Sequence, residues 1–473
     1  MNPARALPAC AALLLAACAS SDGLVTRSTP ADPARLEAAR SFASVAVAAA
    51  AWPSERWWRS LGDPQLDKLI DEALASSPTL RLAQARLERA RALAAAAGAP
   101  LGPQLSAEFD ASRQRITSNG IYPRPIAGSW LWQNQALLDF SYDFDFWGRN
   151  AAAWQSALGE AKAAEADAQA ARLVLSSAVA LAYVQLAHAY DQRDVAHEQL
   201  ALRERQLDLV RTRLGAGLDS QLEVRQSETT LPEIRQRIAQ LDESEALARH
   251  QIAALLGRGP DRGLALARPA LRPAAGLELP SRLPADLLGR RPDIAASRWR
   301  VEAAARGAAS ARAEFYPNVD LVAFVGLQAI TWGHLLEYGS RVLGAGPALS
   351  LPIFDGGRLR GNLGAKNAEY DAAAEQYNQA LADALREVAD QVAAWRSVER
   401  QSAEVEAGLA TAASARDLAQ ARFRAGLTGR LPVLTAEAQV AAQRGLAADL
   451  RARRLEAAIG LARALGGGYS GRS

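Results

Sequence analysis

The chain has very little of what redox or metal chemistry requires. Of its 473 residues two are cysteine, one is methionine and four are histidine. Both cysteines, Cys10 and Cys18, fall at the extreme N-terminus. His188, His197, His250 and His334 show no HxxxH-type spacing, and the first two are nine residues apart, so no zinc-ligand pattern is present. There is no P-loop and no GxSxG, and GRGPDRG (Gly257 to Gly263) fits no nucleotide fingerprint. These absences argue against an enzyme. Lys+Arg 54 against Asp+Glu 51 leaves a net charge of +3, too small to draw the chain to nucleic acid. After the N-terminus no apolar run reaches the ~18 residues of a spanning helix. The nearest, FASVAVAAAAW (Phe42 to Trp52), is too short. Aromatic residues make up 6%. What remains is rich in Ala, Leu, Arg and Gln, all good helix formers.

The N-terminus reads as an export signal. MNPARALPACAALLLAAC places Arg5 before an apolar stretch and small residues, the pattern of a cleaved leader. Leu15-Ala16-Ala17-Cys18 resembles the lipobox of bacterial lipoproteins, in which the Cys is acylated (palmitate among its lipids) and becomes the mature N-terminus. Cys10 then leaves with the leader, so no disulfide is available to the mature chain. Ala19, where retention would call for Asp, implies delivery to the outer membrane. The lipid on Cys18 is the one covalent group expected, with no other cofactor. It anchors but does not span.

A long-period repeat organises the rest. ASSPTLRLAQARLERARALAAAAGAPLGPQL (Ala75 to Leu105) parallels GRRPDIAASRWRVEAAARGAASARAEFYPNVDL (Gly289 to Leu321). Pro78 matches Pro292 and Pro103 matches Pro317, both 214 residues apart. RTRLGAGLD (Arg211 to Asp219) matches QARFRAGLT (Gln420 to Thr428) with Gly217 and Gly426 209 apart. The first half therefore carries five extra residues, best placed in a loop. Each half predicts a helix of about 30 residues, a β segment, a helix of about 60, a sharp reversal and a helix of about 40, an order of duplication.

From about Ala151 to Leu214 the helical pattern meets no proline, which at 1.5 Å per residue makes a rod of about 90 Å. Such a length belongs to a coiled-coil-like wall. Two ladders, Val195-Leu202-Leu209 and Leu200-Leu207-Leu214, fall about 200° apart on the helix. That predicts a stave with a neighbour on each side. In the second half Leu381, Leu385, Val388, Val392 and Trp395 form a single stripe. Gly215, Gly217 and Gly426 are expected to supply the positive φ of the reversals.

The β segments are predicted at about 104–117 and 130–146, then 318–330 and 343–354. Their lengths suit tilted transmembrane strands of ~9–11 residues. Trp130, Trp132, Tyr122, Tyr142, Phe144 and Trp147, with Phe315, Tyr316, Phe324, Trp332 and Tyr338, suit an interfacial girdle. Four strands cannot close a membrane barrel, which needs about eight or more, and an open edge in lipid is costly. Chains must then share one barrel.

Taken together, WWRSLGDPQLDKLI (Trp57 to Ile70), LGRRPDIAASRWRVEAAA (Leu288 to Ala305), AEFYPNV (Ala313 to Val319), LPIFDGGR (Leu351 to Arg358), both AGL reversals and the terminal ALGGGY resemble the TolC-like outer membrane factors of tripartite RND-type efflux systems, within them the lipidated OprM/NodT group. The resemblance covers nearly the whole mature chain. It implies a mainly α fold with a transmembrane β part: a homotrimer whose twelve strands form one barrel, continued through the periplasm by a barrel of helices. On it the chain divides into a signal peptide (1–17), a lipidated segment (18–64), a first repeat (65–260, tip about 215–219), a linker (261–279), a second repeat (280–468, tip about 425–429) and a tail (469–473). The implied work is passive conduction of drugs and other toxic small molecules to the exterior, a route to antibiotic resistance, with energy from an inner-membrane pump.

The resemblance also assigns residues. Gly217, Leu218, Gly426 and Leu427 stand at tips that meet a periplasmic adaptor. Leu431 stands at the apolar ring of the entrance constriction. Thr435 stands where the pattern has Asp, and Pro432 is a second departure, so the carboxylate ring that favours cations is expected to be missing. Arg422 and Phe423 match positions that latch the closed state, and Arg424 and Arg430 add to a basic neighbourhood. Two alternatives remain open from sequence: a type I protein-secretion channel on the same fold, and a lipid-tethered periplasmic coiled-coil protein without a pore.

Overall fold

A computed structural model describes residues 21–36, 52–272 and 289–471. The leader, Cys18, most of the Phe42–Trp52 stretch and residues 273–288 between the two halves lie outside the described residues. The chain forms two compact units: Met1–Pro30, Arg86–Ala164 and Ala296–Asn378 make the first, Ala31–Ala85, Glu165–Ala295 and Gln379–Ser473 the second.

In chain order the main elements are α1 (Pro64–Ser76), α2 (Pro78–Gly98), β1 (Gln104–Arg115), β2 (Trp130–Asp143), α3 (Arg149–Gly215), α4 (Gln221–Leu255), α5 (Pro292–Ala313), β3 (Asn318–Ala329), β4 (Arg341–Ser350), α6 (Arg358–Arg424) and α7 (Leu431–Ala464). The order from α2 to α4 recurs from α5 to α7, and α3 and α6 are each 67 residues long. The shortest predicted helices differ most from expectation. The stretch read as about 30 residues is a 21-residue α2, preceded by a separate α1 and stopped at Gly98 by a 3-10 turn containing Pro100. The proline at 78 sets that break, since its ring disfavours helix at the residue before it.

The first unit centres on a four-stranded antiparallel meander, β1-β2-β3-β4. β4 ends at Ser350, before Pro352, and β2 ends at Asp143. Carboxylates close each strand-to-helix junction. Asp145, held at φ 47°, accepts from the N–H groups of Asn150 and Ala151 at 2.9 and 2.8 Å, and Asp355 accepts from Gly357 and Leu359 at 3.0 and 2.8 Å. Each satisfies donors that a helix start leaves open. At the same end of the sheet Trp147 stacks on Tyr316 with centroids 4.5 Å apart and donates its indole N–H to the Pro317 carbonyl at 2.9 Å. Phe315 is no girdle residue: it is buried with Ala311, Leu359 and Leu363.

In the second unit α1 is capped by Asp63, whose carboxylate accepts from the Gln65 N–H at 2.9 Å, with Pro64 at the first helical position. Its apolar face, Leu66, Leu69, Ile70 and Ala73, packs with Trp57, Trp58, Val179, Tyr183, Ile252, Leu256 and Ile459 into one core. The Tyr183 hydroxyl donates to Asp63 at 2.8 Å. Burial, then the Asp63 hydrogen bond, hold its pKa well above the ordinary phenol range, so it remains a donor.

The two ladders of α3 do meet different neighbours. Leu207, Leu200 and Leu214 pack with Val210 against Val224 and Leu231 of α4, while Leu202 and Leu209 pack against Leu434, Ala438 and Ala441 of α7. The stripe on α6 is corrected at one position. Leu381, Val388, Val392 and Trp395 are buried, but Leu385 is only half-buried and Ala384 takes the interior place. α3 also corrects the hydropathy reading. It contains an 18-residue window apolar enough to cross a membrane by composition, yet half of that window is buried inside the protein. Leu175, Val179, Ala180, Ala182 and Val184 of this helix belong to the core described above.

Candidate functional site

The two hairpin tips have one backbone. At the first, Leu218 N–H donates to the Arg213 carbonyl and Gly217 N–H to the Leu214 carbonyl, both at 2.9 Å; at the second, Leu427 N–H donates to Arg422 at 2.9 Å and Gly426 N–H to Phe423 at 3.0 Å. These paired bonds define a Schellman ending, whose left-handed residue is glycine in each case, Gly217 and Gly426 both at φ 70°. Gly215 has no such role: it remains the last helical residue of α3. A Cβ on either left-handed glycine would meet nothing within 4 Å. Backbone conformation is therefore what requires glycine there, and the surface around it is open. Leu218 and Leu427 follow, 67% and 71% exposed, apolar side chains that the described residues leave uncovered.

Beyond that shared turn the tips differ. After the first, Ser220 and Glu223 make a reciprocal capping box for α4. Arg213 clips Asp219 with Nε and Nη2 at 2.8 and 2.9 Å, and Arg211 reaches Glu228 at 2.9 Å. The Arg213 hydrogen bond holds the Asp219 carboxyl below its usual range. Ser220 does so for Glu223, and Arg211 for Glu228. None of these contacts stood out in the sequence, although S-x-x-E at Ser220–Glu223 was a readable signal.

After the second tip, α7 starts at Leu431 with Arg430 as N-cap and no side-chain cap. No carboxylate occurs from Leu418 to Ala436. Among the described residues Arg422, Arg424 and Arg430 are exposed. Leu431 and Phe423 are 37% and 41% exposed. The Thr435 hydroxyl donates to the Leu431 carbonyl at 3.0 Å, so it is spent on its own helix. Leu431 and Thr435 thus lie one turn apart on α7, while Arg422 and Phe423 supply carbonyls to the tip.

Two motifs of the sequence meet in the second unit. In GRRPDI, Arg291 is buried and reaches Asp293 at 2.6 Å, Glu387 at 2.9 Å and the Ala464 carbonyl at 3.1 Å. Burial pulls its pKa down, but Asp293 and Glu387 outweigh that and the net shift is upward. In ALGGGY, Gly466 lies so close that a Cβ would fall 1.8 Å from the Arg290 carbonyl.

In the first unit, alternation gives the sheet two unlike faces. Cross-strand partners share a face. The register places Leu105, Ala107, Phe109, Ala111, Leu138, Phe140, Leu321, Val325, Leu343 and Leu349 on one side; Ser106, Glu108, Asp110, Gln135, Asp139 and Asp320 lie on the other. Phe324 is on the polar side, its ring lying where a side chain on Gly344 would go, and so is not a girdle residue. All of β1 is exposed, and in the other three strands every residue but Asn134 is exposed or half-buried. An apolar face backed by a polar one is what a wall between lipid and water requires.

A four-stranded sheet with one apolar and one polar face, and two long helical hairpins with glycine turns, are the parts of an outer-membrane channel. The chain belongs to the outer membrane efflux protein family, whose model matches residues 69–258 and 283–467. It is 45% identical over 363 residues to the fusaric acid resistance protein FusA of Burkholderia cepacia, covering 75% of this chain and 68% of that one. To the pyoverdine export outer membrane protein OpmQ of Pseudomonas aeruginosa it is 34% identical over 470 residues, 97% and 96% of the two chains. The solved outer membrane protein VceC of Vibrio cholerae matches with a TM-score of 0.81 at 37% identity, over 89% of this chain and all of that one. The protein is an outer-membrane efflux channel.

Proposed function

We propose that three copies of this chain assemble into one pore: twelve strands forming a barrel in the outer membrane, twelve helices continuing it as a periplasmic tunnel. The carrying observation is the open meander. Among the described residues β1 and β4 are outer strands with no partner on one side, and unpaired backbone groups in lipid cost several kcal/mol each. Joining β4 of one copy to β1 of the next removes every edge, as barrels do. The recurrence of α2–α4 as α5–α7 supports an internal duplication that gives each copy two hairpins.

Each helical hairpin ends in the same glycine turn with an exposed leucine. Leu218 and Leu427 are suited to docking a periplasmic adaptor, which would couple the tunnel to an inner-membrane RND-type pump. Leu431 and Phe423, beside Arg422, would narrow the entrance, and Thr435 provides no charge there. Conduction is passive, needs no cofactor, and serves small organic compounds of the kinds named for the relatives. Those names favour efflux over protein secretion, and a sheet with one largely apolar face has no use in a poreless tether.

The segment after Cys18 supports lipidation. The Asp22 carbonyl accepts from Arg360, Leu24 packs on the Phe315–Leu359–Leu363 cluster, and the N–H groups of Arg27 and Ser28 donate to Asp371 at 2.8 and 2.9 Å. The strap runs along α6 with its earlier residues nearest the sheet. Cys18, the residue the lipid would occupy, stands four residues before Asp22 in the sequence.

The test is the mass of the detergent-solubilised protein together with planar-bilayer conductance. Three chains per conducting particle is the expected result. Single chains that conduct would overturn the proposal.

A further inference from the structure

Formal charges in the membrane sheet are sorted by face. Glu108, Asp110, Asp139, Asp143 and Asp320 all lie on the polar side; Arg113, Arg115 and Arg341 all lie on the apolar side. Cations on a lipid-facing surface are tolerated near an interface but not at mid-depth, and these three are clustered accordingly. β1 leaves the helices at Gln104 and reaches its hairpin loop after Arg115, whereas β4 enters from its loop at Arg341. All three guanidiniums therefore sit toward the end of the sheet away from the helices. Aromatic side chains surround them. Arg113 and Arg115 face Trp132 and Trp130 across the strand pair, Trp332 packs on Trp132 and Phe109, and Arg341 lies 4.0 Å from the centroid of Tyr338. The one carboxylate of the two hairpin loops, Glu337, is engaged with His334 at 2.7 Å.

We propose that this end of the apolar face binds the phosphorylated glycolipid of the outer leaflet, with Arg113 and Arg115 gripping its phosphates and the tryptophans seating its acyl-sugar boundary. The occupant follows from charge complementarity at a lipid-facing band: an aromatic belt alone serves any lipid, but cations without counter-charges on the same face select an anionic headgroup. Alternate positions on a strand lie about 6.8 Å apart, so the two guanidiniums reach the same headgroup. Arg341 joins them only if β4 of one copy adjoins β1 of the next, and that part rests on the trimer proposed above.

The experiment is native mass spectrometry of the full-length protein in detergent, titrated with bisphosphorylated lipid A and separately with dephosphorylated lipid A. The double variant R113Q/R115Q is expected to lose roughly thirtyfold in affinity for the phosphorylated form, about fivefold per guanidinium. R113K/R115K should remain within about threefold of the parent, and the parent should discriminate against the dephosphorylated lipid. Equal binding of both lipids by the parent, undiminished binding by R113Q/R115Q, or displacement by inorganic phosphate at the same concentration as lipid A would each overturn the site. If R113Q/R115Q does not assemble, the lysine variant and the parent's lipid preference decide. R341Q separates the two readings: no effect from R341Q beside a loss in R113Q/R115Q removes the seam and keeps the lipid site.

Discussion

Arg213 and Asp219 hold the first hairpin tip shut across its glycine turn, by two parallel hydrogen bonds of 2.8 and 2.9 Å. The second tip has no equivalent pair, although its backbone turn is the same. Asp219→Asn should therefore speed amide exchange across residues 215–222 and leave residues 424–431 as they were. Equal change at both tips, or at neither, would show that the clip contributes nothing.

The pH response of the two tips should differ in sign-defined fashion. Asp219, Glu223 and Glu228 have folded pKa values depressed by Arg213, Ser220 and Arg211. Their contribution is complete above the ordinary carboxylate range, about pH 4, and is lost as pH falls through the lower folded values. Exchange at the first tip, corrected for intrinsic rates, should stay flat from pH 7 to 5 and open only in stronger acid. The second tip, without a carboxylate from 418 to 436, should show no such acid step.

Gly426→Ala should destabilise the second tip by roughly 1 kcal/mol, since a Cβ in the left-handed region is penalised by about that much. The open space around it means sterics with neighbours add nothing. The check is local exchange at the turn together with drug susceptibility of cells carrying the variant. Unaltered exchange would place the need for glycine elsewhere.

Leu431→Ala should widen the entrance. Larger single-channel conductance, or greater antibiotic leakage, is the expected outcome; unchanged permeability removes Leu431 from the constriction.

Arg291→Ala leaves Glu387 and the Ala464 carbonyl without their buried donor. Glu387 and Asp293 remain partly exposed, so water offsets part of the loss and the cost is about 1–3 kcal/mol. Thermal unfolding should begin at markedly lower temperature, with Arg291→Lys recovering only part because it cannot supply the forked geometry.

Proline and glycine carried most of what the sequence made legible. Pro78 and Pro292 start α2 and α5, Gly217 and Gly426 end the long hairpin arms, and the two leucine-valine ladders of α3 correctly implied two neighbours. These signals are local or strictly periodic. Contacts between distant segments were not legible: the meeting of GRRPDI with ALGGGY, Asp63 with Tyr183, or the strap with Asp371, spans that no window of sequence connects. The exchange of Ala384 for Leu385 has another cause. On a 67-residue helix a small drift in phase moves the buried line by one residue, and composition alone does not reveal it. Phe315 and Phe324 were misread because an aromatic near a strand is equally at home in a core, against a glycine, or at a lipid boundary.

The exposed outer strands of the meander also bear on biogenesis. On the trimer reading, a solitary newly exported chain has no acceptable state in the bilayer, so partner-finding must precede or accompany insertion. Yield should then climb more steeply than in proportion to the rate of synthesis, and a chain with a defective β1 or β4 should poison its siblings when co-expressed.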